Sequence, residues 1–311
     1  MEKIKLIAVV GPTASGKTAL GVEIAKRFNG EVVSADSMQI YKGMDIATAK
    51  PTAEEMQGIP HHLIDYVEPE ETFSVARYIE DAEKAIADIL SRNKLPVIVG
   101  GTGLYVDSLL NGLRFAEEPD DDNVRAELTE LSKQHGNQYM HDMLSEIDPE
   151  YAKGLHPNNI GRVIRAIELY RLTGKTMSQQ IEESKQIPSK YSPIMLGIDC
   201  LEREKLYQRI NLRVDMMLKG GILDEAREFY KNHNAKTAAQ AIGCKEFLNY
   251  FTNQKSLEQC VEDLKRETRR YAKRQLTWFR RNENIHWLHR DMFENFESLL
   301  EEAFEVISNN L

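Results

Sequence analysis

Eight consecutive residues, Gly11-Pro12-Thr13-Ala14-Ser15-Gly16-Lys17-Thr18, have the spacing G-x-x-x-x-G-K-[ST]. Residues of these types can wrap a phosphate group. The glycines allow a tight path along which backbone N–H groups face the oxygens, and a helix that follows adds the positive end of its dipole. Lys17 brings a point charge and Thr18 a hydroxyl placed to ligate Mg²⁺. The loop selects a diphosphate or a triphosphate without choosing between them. In phosphoryl-transfer enzymes a carboxylate at the end of a later apolar strand helps to hold the metal. The obvious candidate, residues 96–99, runs instead into Gly100-Gly101-Thr102-Gly103 and ends without one. The acidic residue that does follow a short strand-like run is Asp36, in Ser34-Ala35-Asp36-Ser37. Parallel sheets gather ligands at the carboxyl ends of their strands, so Asp36, Thr102 and the phosphate loop are expected in one crevice. A carboxylate there can hold a metal through water or act as a general base. Position alone is equally compatible with a helix cap or a turn.

A second feature lies at residues 265–281, which carry eight basic residues and one acidic residue, a local charge of +7. The whole chain is at -9, so the remainder stands at -16. Read alone, the net value argues against a nucleic-acid partner, and the segregation argues for one, because a polyanion is met by local charge. Tyr271, Trp278 and Phe279 lie among these cations, as a base-stacking surface would require. An ordinary amphipathic helix with its aromatics in the core would have the same composition. Arg162, Arg165 and Arg171 form a weaker basic cluster.

Positioning these groups falls to an alternation of apolar runs and helical stretches over the first hundred residues, the pattern of a parallel sheet with crossover helices. Strands are expected at residues 4–10, 31–34, 62–65, 95–99, 192–198 and 285–288. Helices are expected at 18–28, 75–92, 202–219, 223–232, 256–281 and 295–308. The composition changes at about residue 115, with an acidic stretch at 117–122 that reads as a solvated hinge or helix start. Residues 123–183 are polar, helix-patterned and punctuated by Gly136, Pro149, Gly154, Pro157 and Gly174. The expected fold is α/β, a P-loop NTPase-like parallel sheet flanked by helices, with an all-helical insertion. The core domain would take 1–115 and 191–311, and the insertion 116–190.

The 311 residues are 41% hydrophobic and 29% charged, enough for a sizeable core, and no apolar run approaches the roughly 20 residues of a membrane span. The first residues run straight into a strand-like segment with no signal-peptide pattern, so a cytoplasmic location is expected. Cys200, Cys244 and Cys260 form no C-x-x-C pair, and the eight histidines show no ligand spacing, which indicates neither a disulfide framework nor a zinc site.

Several segments together resemble the tRNA dimethylallyltransferases (tRNA isopentenyltransferases). They are GPTASGKT at 11–18, SADSMQIYKGMDIATAKPT at 34–52, HHLIDYVEPEETFSVARY at 61–78, VIVGGTGLYVDSLLNG at 97–112, RVDMMLKGG at 213–221 and RRYAKRQLTWFRR at 269–281. The resemblance runs over nearly the whole chain and is similar to the compact bacterial form. It implies transfer of a dimethylallyl group from dimethylallyl diphosphate to N6 of adenosine 37 in tRNAs reading codons that begin with U, with Mg²⁺ as cofactor. It implies that Asp36 is the general base, that Thr102 helps to fix Asp36 and the adenine, and that Lys17 and Arg213 gather the charge of the leaving diphosphate. Its tRNA contacts map to Asp36, Ser37, Met38, Gln39, Thr102, Arg125, Gly161, Arg162, Val163, Ile164, Arg165, Gln240, Gly243, Lys245, Lys273, Arg274, Gln275, Thr277, Trp278 and Arg280. The insertion would then grip the anticodon stem-loop, and nothing would demand more than a monomer without an obligate protein partner. Two positions depart from the family pattern: Ala47 where glycine is usual, and Cys244 where tyrosine is usual. A small-molecule kinase would explain the phosphate loop but not the basic helix. An isopentenyltransferase acting on free AMP would need no insertion. A nucleotide-switched RNA-binding protein would need sensing carboxylates that the sequence lacks.

Overall fold

The computed structural model describes residues 3–113, 122–185 and 188–311. Most of the acidic stretch, residues 117–121, lies outside the described residues. Cα packing divides the chain into two compact units, Met1–Leu110 with Lys190–Leu311, and Asn111–Ser189.

In chain order the elements are β1 (Ile4–Val10), α1 (Lys17–Arg27), β2 (Gly30–Ser34), α2 (Ala53–Met56), β3 (His61–His62), α3 (Val75–Ser91), β4 (Leu95–Gly100), α4 (Gly103–Asn111), α5 (Asp122–Ile147), α6 (Pro149–Lys153), α7 (Ile160–Thr173), α8 (Met177–Lys185), β5 (Tyr191–Asp199), α9 (Arg203–Lys219), α10 (Ile222–Asn232), α11 (Leu248–Phe251), α12 (Leu257–Phe279), β6 (Ile285–His289) and α13 (Phe296–Ser308).

The larger unit holds one sheet in the order β3-β2-β4-β1-β5-β6, parallel throughout. Leu6, Ile7, Ala8, Val9 and Val10 are fully buried, which is why β1 reads as an unbroken apolar run rather than an alternation. One buried cluster joins Leu20 and Ile24 of α1 and Leu299, Ala303 and Ile307 of α13 to the apolar residues of β1, β2 and β4. Another joins Ile40, Tyr41 and Met44 to Val214 of α9, Ala226 and Phe229 of α10 and Leu264 of α12.

Strand order decides where the chemistry falls. β4 lies between β1 and β2, with Val10 opposite Gly100 and Ser34 opposite Val99. The loops leaving the three strands, bearing Gly11, Thr102 and Asp36, therefore emerge side by side at the carboxyl edge. At the opposite end of β2, buried Glu31 is bonded by Arg92, Lys94 at 2.8 Å and His62 at 2.8 Å, and the Arg92 guanidinium foremost holds its carboxyl far below the usual range.

The smaller unit is helical. Its core unites Leu128, Met140 and Leu144 of α5 with Ala152 of α6 and Val163, Ile164, Ala166 and Ile167 of α7. Helix α5 is interrupted at Gly136, which takes φ 84° and ψ 171°. Pro149 opens α6, where the Asp148 carboxylate accepts from the Tyr151 N–H at 3.1 Å, and Gly174 closes α7 at φ 71°. No helix among the described residues is long and apolar enough to cross a membrane.

Candidate active site

The phosphate loop joins β1 to α1. A Cβ at Gly11 would stand 2.3 Å from the Ile198 carbonyl oxygen, so only glycine lets the loop pass β5. Gly16, at φ 106°, caps α1, and Ala14 also takes a positive φ, 63°, which curls successive N–H groups to one side. Arg209 of α9 steadies the loop by donating Nε to the Ala14 carbonyl at 2.8 Å. One helical turn later, Arg213 reaches the Thr13 hydroxyl at 3.5 Å. Burial lowers the Lys17 ammonium to about 8; Asp36 opposes this and Arg213 adds to it. Burial likewise lowers Arg213, again against Asp36. Two half-buried cations and a carboxylate thus share one field, with less negative than positive charge, which suits a bound anion.

Asp36 does two things. Its Oδ1 accepts the Met38 N–H at 3.0 Å and the Gln39 N–H at 3.4 Å, making the turn that its position alone allowed. Its Oδ2 takes no hydrogen bond among the described residues. Thr102 is locked beside it, its hydroxyl accepting the Ser37 N–H at 3.0 Å and lying 3.3 Å from the Ser37 hydroxyl. Tyr271 of α12 faces the same field: burial, then Asp36, push its phenol up to about 12.

One cavity of about 300 Å³ has Lys17, Thr18, Asp36, Arg213, Tyr271, Arg274, Gln275, Gln240, Gly243 and Lys245 in its wall beside apolar Val214, Met217, Ile242, Ile64 and Leu264, and Thr102 touches it through Ser37. Part of that wall is shaped from α10. The Glu225 carboxylate accepts the N–H groups of Asp45, Ile46 and Ala47, each at 2.8 Å, and so fixes the loop that brings Ala47, Thr48 and Ala49 to the cavity. Ala47 does not have a positive φ, so the departure from glycine leaves the turn intact. Cys244 is fully buried and its thiol is pushed up to about 12 by burial, so it presents nothing to a ligand.

Helix α12 is less cationic in three dimensions than in sequence. Lys265 pairs with Asp215 at 2.7 Å, Arg266 with Asp263 at 2.6 Å, Arg270 with Glu267 at 2.7 Å and Arg280 with Asp199 at 3.0 Å. Arg269 is held by Asn211 at 2.6 Å. Lys273 and Arg274 have no carboxylate partner among the described residues, and Arg274 lies over the Tyr271 ring. One expectation is corrected here. Phe279 is 1% exposed and belongs to the core, not to a stacking surface. Trp278 turns its Nε1–H to Asp107 at 2.7 Å and packs on Gly103. Gln275 is 4% exposed with both ends of its amide bonded inside the protein, so it lies in the cavity wall and not on an outer surface of the helix. Lys273, Thr277 and Arg280 instead border a second cleft with Arg203 and Tyr207.

In the helical unit, Gly161 and Arg162 are exposed, whereas Val163 and Ile164 are in the core and cannot present side chains to a ligand. Arg125 grips Glu168 through two bonds, at 2.8 and 2.7 Å, and Arg165 adds a third at 2.8 Å. Burial would raise the Glu168 carboxyl, but the two guanidinium groups hold it below its usual range. Sequence reasoning missed Arg209, Glu225 and Asp107. Only Arg209 had a local signal, its i−4 spacing from Arg213 on one helix face.

Fold and site together define a P-loop α/β protein whose loop and half-buried cations are arranged to take a phosphate chain beside a carboxylate. The model of the IPP transferase family matches residues 39–282. The chain is 51% identical over 297 residues, 95% of each chain, to a tRNA dimethylallyltransferase of Acetivibrio thermocellus, and 48% identical over 312 residues, 99% of each, to one of Caldanaerobacter subterraneus. Among solved structures it resembles the tRNA isopentenylpyrophosphate transferase of Bacillus halodurans, with TM-score 0.74, 46% identity and coverage of 99% of this chain and 96% of that one. It also resembles a eukaryotic dimethylallyltransferase acting on tRNA, with TM-score 0.81, 33% identity and coverage of 99% and 80%. The chain belongs to the IPP transferase family.

Proposed function

We propose that this chain transfers a dimethylallyl group from dimethylallyl diphosphate to N6 of adenosine 37 in tRNAs reading codons that begin with U, releasing diphosphate. The observation that carries this reading is the cavity that joins Lys17, Thr18 and Arg213 to Asp36, with Thr102 bonded to Ser37 in its wall, in a chain of this family. The loop amides, Lys17 and Arg213 bind the diphosphate and stabilise the charge that gathers on it as the allylic C–O bond breaks. Val214, Met217 and Ile242 offer the prenyl chain an apolar wall. N6 attacks the allylic carbon as its proton passes to Asp36 Oδ2. A stacked adenine cannot reach this chamber, so the nucleotide enters flipped out.

Among the described residues no group of three His, Cys, Asp or Glu side chains could hold a metal ion. A site offering one hydroxyl, Thr18, beside a diphosphate fits Mg²⁺, which keeps several waters and takes phosphate oxygens as ligands. When bound, the ion would neutralise charge on the leaving group. The helical unit would contact the anticodon stem-loop through Gly161 and Arg162, and the protein would act as a cytoplasmic monomer.

Incubation with labelled dimethylallyl diphosphate, Mg²⁺ and either unmodified tRNA or AMP tests the reading. Label enters tRNA; label in AMP alone, or none in tRNA, overturns it. Replacing Lys273 and Arg274 together by glutamine weakens tRNA binding and makes log Kobs against log[salt] shallower by about 1.5, because roughly two phosphate contacts are lost. An unchanged slope, measured by filter binding across salt concentrations, removes both from the RNA face.

A further inference from the structure

Gln275 sits near the C-terminal end of α12, a helix whose composition advertises charge, yet it is buried and both ends of its amide are bonded. Its Oε1 accepts the N–H of Thr13 in the phosphate loop at 2.8 Å, and its Nε2 donates to the carbonyl of Gly101 at 2.9 Å. A Cβ at Gly101 would lie 2.2 Å from that Nε2, so the contact requires glycine there. Three residues on, Trp278 bonds Asp107 and packs its indole against Gly103. Helix α12 therefore clasps residues 101–107 at two points one turn apart, with Thr102 between them. Thr102 in turn accepts the Ser37 N–H, next to Asp36. One continuous path of hydrogen bonds and single residues runs from the loop that takes the diphosphate, through Gln275, to the carboxylate.

We propose that Gln275 is a positioning residue for the transfer, setting the spacing between the diphosphate loop and the Thr102–Asp36 segment, and that it makes no contact with tRNA. The inference rests on the reading of the cavity given above. An amide suits this place because it alone among side chains of its length offers a planar acceptor and donor together. A glutamate would keep the acceptor for Thr13 and set a second lone-pair oxygen against the Gly101 carbonyl. A methionine would keep the volume and lose both bonds. In-line displacement is sensitive to such spacing, since a misplacement of about 1 Å costs on the order of 100-fold in rate.

The test compares the wild type with Gln275→Met and Gln275→Glu in three measurements well below the melting temperature of each: steady-state transfer to tRNA, calorimetric binding of inorganic pyrophosphate, and filter binding of tRNA. The expected result is a fall in kcat of on the order of 100-fold in both variants, pyrophosphate affinity weakened several-fold in Gln275→Met, and a tRNA Kd within twofold of the wild type. A tRNA Kd raised tenfold with kcat preserved would show Gln275 to be an RNA contact and overturn the proposal. So would a lowered melting temperature with kcat and pyrophosphate affinity unchanged, which a merely structural role produces. Should Gln275→Met not fold, the same measurements on Gln275→Glu decide between these outcomes. Failure of the functional reading is separable, because the wild type would then modify no tRNA while pyrophosphate binding still reports on the strut.

Discussion

Asp36→Asn lowers kcat by about 10²–10⁴-fold, the range that a positioned general base supplies, and leaves tRNA affinity nearly unchanged. The choice of asparagine follows from the geometry. Oδ1 holds the Met38 and Gln39 N–H groups, and an amide oxygen can keep both bonds, so the turn survives while the basic oxygen is lost. Asp36→Ala removes the turn as well, and the difference between the two variants in tRNA binding measures what that turn contributes to placing Ser37, Met38 and Gln39. Single-turnover kinetics with saturating tRNA and dimethylallyl diphosphate separate the chemical step from binding. Equal losses in kcat and in tRNA affinity for the asparagine variant would remove the base from this carboxylate.

Lys17→Ala damages the other half of the reaction. A half-buried ammonium facing a leaving diphosphate contributes as an oxyanion donor does, so kcat falls by about 10²–10³-fold and pyrophosphate affinity falls with it. Unchanged pyrophosphate affinity, read by calorimetry, would refute the role of the loop. Lys17 also gives the free enzyme a pH signature. Its pKa is lowered to about 8, so it is charged below that pH and becomes neutral as pH rises through it. The value of kcat/KM for dimethylallyl diphosphate therefore declines above pH 8 in the wild type. Lys17→Arg, whose guanidinium stays charged, loses this limb, and a limb that persists belongs to another group.

Much of the fold was legible because its signals are local. Residues 4–10 form β1 as their apolar run requires, and the helix expected at 256–281 is α12, with Ser256 as its cap. The helix α4, starting in Gly103, gave no comparable signal: its first residue is glycine, and Trp278 from a distant helix holds it. The charge of α12 was counted correctly and interpreted too generously. Part of its neutralisation comes from Asp215 on α9 and Asp199 on β5, partners that no window along the sequence contains. Gln275 shows the same limit in a neutral residue. Its neighbours along the chain suggest an RNA-facing surface, and the i+3 and i−4 positions, Trp278 and Tyr271, turn out to share its inward face. Asp36 was undecided between turn and base because a carboxylate has two oxygens, and the backbone claims only one of them.

The three hydrogen bonds that the Glu225 carboxylate accepts from backbone N–H groups bear on more than the turn itself. The segment at residues 45–47 owes its path mainly to a carboxylate on α10, with the Asp45–Lys50 pair closing the turn at 2.7 Å. Of the three, Ala47 lines the chamber, and because the turn does not depend on its side chain its size is free to follow the chamber within the limits of the core it joins. Alanine at 47 is one use of that freedom. For anyone seeking to admit a bulkier allylic donor, position 47 is a point of the wall where the side chain can be made smaller while the backbone stays in place, provided that Glu225 is left alone.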